Sequence, residues 1–235
     1  METIYAEEQN AARDRTAWAE QIERELTQRI AEESKAYGVI KRVGDIVLSL
    51  GGLLFLLPLF AALCVVIYLD DPHGSPIYSQ IRIGKDGKPF RFYKFRSMVV
   101  NADQLRGSLE AYNEKDGPVF KMKQDPRITR VGRVIRRTSL DELPQLWNVL
   151  RGEMSMVGPR PPLPDEVAQY DAYHKLRLLV KPGLTCFWQV KKTRDQVGFS
   201  KWMDMDIEYI RKRSLLVDIK LIFLTFGAVF RGQGE

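Results

Sequence analysis

The stretch Thr138-Ser-Leu-Asp-Glu-Leu-Pro-Gln-Leu-Trp-Asn-Val-Leu-Arg-Gly-Glu-Met-Ser-Met-Val-Gly-Pro-Arg-Pro-Pro162 decides how this chain is read. It sets two adjacent carboxylates, Asp141 and Glu142, directly after a segment carrying Arg127, Arg130, Arg133, Arg136 and Arg137. Neighbouring carboxylates repel, so keeping both ionised calls for nearby positive charge or a metal ion. Carboxylates among arginines, with a divalent cation, suit phosphoryl-group chemistry, where catalysis is largely positioning and charge neutralisation. Read locally, Ser139-Leu-Asp-Glu142 also matches a capping box, which would make Glu142 a helix cap. Asp141 would then lie near a helix N-terminus, where the macrodipole favours the ionised form. Both readings stay open at this level. Downstream, three prolines in Gly158–Pro162 hold Arg160 with little freedom, which lowers the entropic cost of ordering it around an anion.

Immediately upstream, Ile128, Val131, Val134 and Ile135 fall on one side of a helical wheel, and Arg130, Arg133, Arg136 and Arg137 on the other. The arginine fork suits phosphate oxygens and carboxylates alike. Further back, Ile77-Tyr78 and Phe90–Phe95 read as strands flanking a Gly84-Lys85-Asp86-Gly87 hairpin loop. Lys94 and Arg96, two apart, share a face of the second strand.

Ile46–Leu69 has no charged residue in 24 positions. At ~1.5 Å per residue that is ~36 Å of straight helix, enough to cross a bilayer core. Pro58 interrupts it near the middle. Basic residues flank both ends: Arg29, Lys35, Lys41 and Arg42 before, Arg82, Lys85, Lys88 and Arg91 after. The positive-inside rule therefore pulls both ends to the same side, and a helix that enters and returns satisfies both pulls.

Residues 1–36 read as a helical extension with a stripe at Trp18, Ile22, Leu26 and Ile30, which packs on the rest of the protein or serves self-association or membrane contact. A helix is expected over Asp165–Val180, with His174 in surface or packing contacts. Leu215–Phe230 carries Asp218 and Lys220 and reads as a core or interfacial amphipathic helix.

Several ordered motifs carry a resemblance. Asp-Glu-Leu-Pro-Gln-Leu-Trp-Asn-Val-Leu at 141–150, Met-Ser-Met-Val-Gly-Pro-Arg-Pro at 154–161, Lys-Phe-Arg-Ser-Met at 94–98 and Gly-Leu-Thr-Cys-Phe-Trp-Gln-Val at 183–190 are similar to the bacterial sugar transferase family, the monotopic polyprenyl-phosphate hexose-1-phosphate transferases. The likeness runs from about Tyr37 to the C-terminus. It implies a compact α/β (α+β) catalytic domain over 73–235 with interfacial amphipathic helices, behind a re-entrant membrane helix over 37–72. It implies transfer of a sugar-1-phosphate from a UDP-sugar to a polyprenyl (undecaprenyl) phosphate with release of UMP, in capsule, exopolysaccharide or related glycan synthesis.

By the same resemblance Asp141 is the nucleophile, and Asp141 and Glu142 hold Mg²⁺. Lys94, Arg96, Arg136, Arg137, Arg160 and Arg194 become substrate contacts. After Gln189-Val190 members often read Ser-Gly-Arg, whereas this chain reads Lys191-Lys192-Thr193-Arg194, with one extra residue before Arg194. The implied location is the bacterial inner (cytoplasmic) membrane, with the catalytic domain facing the cytoplasm.

Composition bounds the alternatives. The 235 residues suffice for one sizeable core. A net charge of +6 fits nucleic acid, phosphate ligands or an anionic membrane about equally. A nucleic-acid-binding protein is the rival from another class, but it leaves Asp141 and Glu142 among the arginines unexplained, so no nucleic-acid partner is expected. Two distant cysteines make no disulfide framework and point to a reducing compartment. No cleavable signal peptide is expected in the polar first 36 residues. A glycosyltransferase that moves sugar without phosphate is the closer rival.

Overall fold

The long uncharged run is housed in two helices, α2 (Lys35–Phe55) and α3 (Leu57–Asp70), which meet at Leu56 with a bend of 60°. The break lies where the proline requires it. Pro58 has no N–H and fits only the first turn of a helix, so α3 starts at Leu57. No single helix among the described residues is long and apolar enough to cross a membrane; only this bent pair meets that length and composition together. The computed structural model describes residues 2–191 and 196–230.

Ahead of this pair, α1 (Glu2–Ala31) ends three residues before Ser34, whose hydroxyl accepts the Ala36 N–H and caps α2. The expected stripe on α1 packs inward: Ile22 and Leu26 are buried with Leu176, Val180, Ile207 and Ile210, and Ile30 is packed against them. Complete burial of a leucine such as Leu26 is worth roughly 1.5–3 kcal/mol. Trp18 stays half in solvent but leans on Tyr173, ring centroids 4.7 Å apart. Bidentate pairs Arg211–Glu25 and Arg213–Glu33 fix the helix at its flank and end.

The chain then forms an antiparallel hairpin, β1 (Ile77–Ile83) and β2 (Pro89–Phe95), with Tyr78 opposite Lys94 and Arg82 opposite Phe90. Next come α4 (Ala102–Leu109), α5 (Arg130–Arg137) and α6 (Gln145–Arg151). A second small sheet pairs β3 (Ser155–Val157) in parallel with β4 (Gly183–Thr185). The exit of β3 and the entry of β4 approach so closely that a Cβ on Gly158 or Gly183 would collide with the opposite backbone, which requires glycine at both positions. The single helix expected over Asp165–Val180 is instead broken into α7 (Pro164–Ala168), α8 (Ala172–Lys175) and a 3-10 turn at Leu176–Leu179. The first helix ends with its C-cap at Gln169, and the extended Asp171 starts the next, its carboxylate accepting the His174 N–H at 2.8 Å. Helices α9 (Phe199–Lys212) and α10 (Leu215–Phe230) complete the fold. The result is a mixed helix-and-sheet domain with the bent pair attached.

Both ends of the bent pair are tied to that domain. On α2, Arg42 donates to the Val149 and Leu150 carbonyls at the end of α6, both at 2.7 Å. The buried Asp45 accepts from Ser155 Oγ (3.0 Å) and the Met156 N–H (2.8 Å) on β3. Lys41 meets Asp218 of α10 at 2.7 Å. At the far end, Asp70 accepts the Val131 N–H of α5 at 3.1 Å, and Asp71 pairs with Arg96 at 3.0 Å. Between these anchors Leu63 and Ile67 of α3 pack on Phe95 and Ile135, while at the bend the apolar side chains point outward, with Leu54, Phe55 and Leu57 66%, 83% and 63% exposed.

Candidate active site

Helix α5 is capped by Thr129, whose hydroxyl accepts the Gly132 N–H. Gly132 has no room for a side chain because the Ser97 carbonyl lies against its Cα, and this contact seats α5 beside the end of β2. Ile135 is buried against Phe95 and α3, while Val134, expected on the apolar side, faces outward. The arginine side thus divides: Arg130, Arg133 and Arg137 are exposed and Arg136 is half-buried.

The chain leaves α5 through Ser139, a non-glycine residue at φ 55°, ψ 18°. The left-handed region is uncommon for serine and costs of order 1 kcal/mol or more, and such positions cluster at functional sites. Ser139 makes no side-chain cap hydrogen bond, so the capping-box reading of Ser139–Glu142 is corrected. Instead Leu140–Glu142 form a 3-10 turn in contact with β2 and α5, and α6 starts only after Pro144. This geometry buries Asp141 and leaves Glu142 half-buried.

Lys94, on β2, lies among these groups. Burial pushes its ammonium below the ordinary lysine range, Asp141 and Glu142 pull it back up, and Arg136 and Arg82 push it further down. The turn therefore brings Asp141, Glu142, Lys94 and Arg136 into one electrostatic cluster, as their sequence positions suggested.

Arg82 is the member that sequence reasoning missed. It is buried on β1 with its guanidinium 5.2 Å over the Phe92 ring, and it donates to the Pro161 carbonyl at 2.8 Å. Burial and the nearby Arg160 lower its pKa to about 9, with Glu166, Tyr78 and Glu142 opposing. Its Nε has no hydrogen-bond partner. A buried cation beside a second cation, with donor capacity left over, favours an anion as third partner. Its strand register offered the signal: Tyr78 pairs with Lys94, so Tyr78, Gln80 and Arg82 point to the Lys94 face.

Arg160 approaches from the Gly158–Pro162 turn. Its side chain is 31% exposed and meets the buried Glu166 at a loose 3.9 Å. Arg96 is placed differently. It sits just past the end of β2, buried, with its guanidinium on Asp71, so it holds the exit of α3 to the hairpin. Arg137 is on the exposed side of α5. Arg194 lies outside the described residues. His174 packs edge-on against Phe199 with ring centroids 5.0 Å apart, and His73 is exposed beside Asp71.

Among the described residues there is no group of three or more His, Cys, Asp or Glu side chains able to hold a metal. The adjacent Asp141 and Glu142 fit Mg²⁺ in the mode that uses one or two carboxylates with substrate phosphates and water completing the shell.

This cluster falls inside a family match. Residues 36–232 match the family model described as bacterial sugar transferase. The chain belongs to the bacterial sugar transferase family. Among its curated relatives it is 43% identical over 196 residues to the "Galactosyl transferase CpsE" of Streptococcus agalactiae, covering 83% of this chain and 43% of that protein. It is 44% identical over 202 residues to the "Undecaprenyl-phosphate galactose phosphotransferase" of Salmonella typhimurium, covering 83% of this chain and 41% of that protein. It is 39% identical over 203 residues to the "Exopolysaccharide production protein ExoY" of Sinorhizobium fredii, covering 84% and 88%. The chain thus spans less than half the length of the first two relatives and most of the third. Every group of the cluster, from Arg82 to Arg160, lies within the part that the family model matches.

Proposed function

We propose that this sugar transferase moves a sugar-1-phosphate from a UDP-sugar to a polyprenyl phosphate and releases UMP. The observation that carries the reading is the buried Asp141 on a strained turn, beside Glu142 and within electrostatic reach of Lys94, whose ammonium also feels Arg136 and Arg82, in a chain of this family. The wording of the Salmonella relative's name, undecaprenyl-phosphate galactose phosphotransferase, supports it.

In the first step a carboxylate oxygen of Asp141 attacks the sugar-proximal phosphorus. The bond from that phosphorus to the bridging oxygen breaks, and UMP leaves with the electron pair. The sugar phosphate is then an acyl phosphate on Asp141. In the second step an oxygen of the polyprenyl phosphate attacks the same phosphorus, the aspartyl bond breaks, and a polyprenyl-diphosphate sugar departs. The anomeric C–O bond is untouched throughout. Lys94, Arg82 and Arg160 neutralise the diphosphate and the charge growing on UMP, where desolvated cations act most strongly. Asp141 and Glu142 would hold Mg²⁺, which when bound supplies further neutralisation of the diphosphate.

The bent pair sets the depth of the site. Its two ends are bonded to one domain, which supports a placement with both ends on the same side of a bilayer. The exposed vertex at Leu54–Leu57 would enter the lipid and return, placing the acceptor phosphate at the membrane surface. The basic flanks support a cytoplasmic placement of that surface.

The test is intact-mass spectrometry of the full chain with UDP-sugar and Mg²⁺ but no polyprenyl acceptor. The expected result is an added sugar-phosphate mass, lost in Asp141→Asn because an amide is a poor nucleophile at phosphorus. An adduct that persists in Asp141→Asn removes Asp141 from the role.

A further inference from the structure

The Gly-Pro-Arg-Pro-Pro turn presents four successive carbonyls, and each has its own donor. The Gly183 N–H donates to Pro159 at 2.9 Å and the Ile83 N–H to Pro162 at 2.9 Å. Between them, Arg177 donates to the Arg160 carbonyl and Arg82 to the Pro161 carbonyl, both at 2.8 Å. Prolines at three of the five positions remove backbone donors, so the turn cannot close on its own hydrogen bonds. Its shape is imposed from outside.

Arg177 does this from the interior. It is 5% exposed, its Nη1 donates to the Tyr170 hydroxyl at 2.8 Å, and its Nη2 lies 2.6 Å from the carboxylate of Asp206, itself 1% exposed. The planar fork thus donates to the Tyr170 hydroxyl and the Arg160 carbonyl while its charge is met by Asp206, a task for which arginine is suited and lysine is not. A buried ion pair seldom out-stabilises apolar residues of the same volume, so stability alone does not account for it. Meanwhile the Arg160 side chain is only loosely tethered, 3.9 Å from Glu166, so its direction depends on how its backbone is held.

We infer that Arg177 and Asp206 form a positioning pair that fixes the Arg160 backbone, and through it the grip of Arg160 on the diphosphate of the donor substrate. Arg177 touches no substrate; it acts through Arg160. The inference rests on the reading of Arg160 as a phosphate contact given above.

The experiment measures UDP affinity by calorimetry on the purified full chain with Mg²⁺, for Arg160→Lys, Arg177→Lys and the double variant. Each single change is expected to weaken UDP about tenfold, in line with the cost of misplacing or losing a bidentate contact. Because both act on one contact, the double variant should also weaken it about tenfold, not the ~100-fold of independent sites. The gentler Tyr170→Phe, which removes one anchor of Arg177 and keeps the ion pair, should weaken UDP about threefold, and should do nothing further in the Arg160→Lys background. It keeps the test alive if Arg177→Lys fails to fold. Unchanged UDP affinity in Arg177→Lys, or additive losses in the double variant, overturns the inference while leaving Arg160 in place. Unchanged affinity in Arg160→Lys overturns the phosphate reading itself, and the positioning role with it.

Discussion

The anchoring of the bent pair makes a quantitative prediction at Asp218. Its carboxylate accepts from Lys41 Nζ at 2.7 Å, Tyr209 OH at 2.8 Å and Tyr37 OH at 3.0 Å, joining α2, α9 and α10 in one buried network. Asp218→Ala leaves the Lys41 ammonium, 18% exposed, with only the Val157 carbonyl and the Tyr209 hydroxyl as weaker partners. Breaking a buried pair by removing one member costs about 3–5 kcal/mol. For a chain of this size each kcal/mol moves the midpoint by roughly 2–4 °C, so a fall of roughly 6–20 °C is expected. The assay is thermal unfolding in lipid nanodiscs followed by tryptophan fluorescence. Lys41→Met combined with Asp218→Asn removes both charges, keeps an acceptor for the tyrosines, and should restore at least half of the loss. A midpoint within about 3 °C of wild type for Asp218→Ala, or no recovery in the pair, refutes the anchoring role.

Three further outcomes follow from the same geometry. Glu142→Gln should raise the Mg²⁺ concentration needed for half-maximal turnover, and chelation should stop wild-type turnover reversibly; an unshifted Mg²⁺ curve removes Glu142 from the metal site. Arg82→Lys keeps the charge but shortens the reach to the Pro161 carbonyl, and should cut kcat/KM for the UDP-sugar by about tenfold with the thermal midpoint little changed. Cysteines at the exposed positions Ala36 and Lys85, each in a Cys64→Ser background that keeps the buried Cys186, should react with reagents on the cytoplasmic side only, and labelling from opposite faces would contradict the re-entrant placement.

How much of this was legible beforehand depended on whether a property was local. The broken apolar run was readable because proline's missing N–H and fixed φ act within one turn, and the structure restarts the helix at Leu57 for that reason. The hairpin was readable from its loop, and the cluster of Asp141, Glu142 and Lys94 from motif likeness. What escaped was decided by distant contacts. Arg82 sits between two isoleucines and alternation alone reads it as solvent-facing; α7 and the proline turn then cover it. Arg96 has the parity expected for the Lys94 face, but the strand stops at Phe95 and Asp71 captures its guanidinium. Ser139 carries no glycine-like signal for its left-handed backbone. Arg177 sits in a segment expected to be one continuous helix, which is broken ahead of Asp171, and its pairing with Asp206 of α9 is a distant contact that no local pattern carries.

The central claim is that phosphate moves with the sugar, and the nucleotide product tests it most directly. The relatives' names divide on this point, one a galactosyl transferase and another a phosphotransferase. Purified full chain incubated with undecaprenyl phosphate, Mg²⁺ and a panel of UDP-sugars should release UMP in step with lipid-linked product, as resolved by ion-exchange chromatography. Release of UDP in the same proportion would mean that the sugar leaves without its phosphate, and would contradict attack by Asp141 at phosphorus.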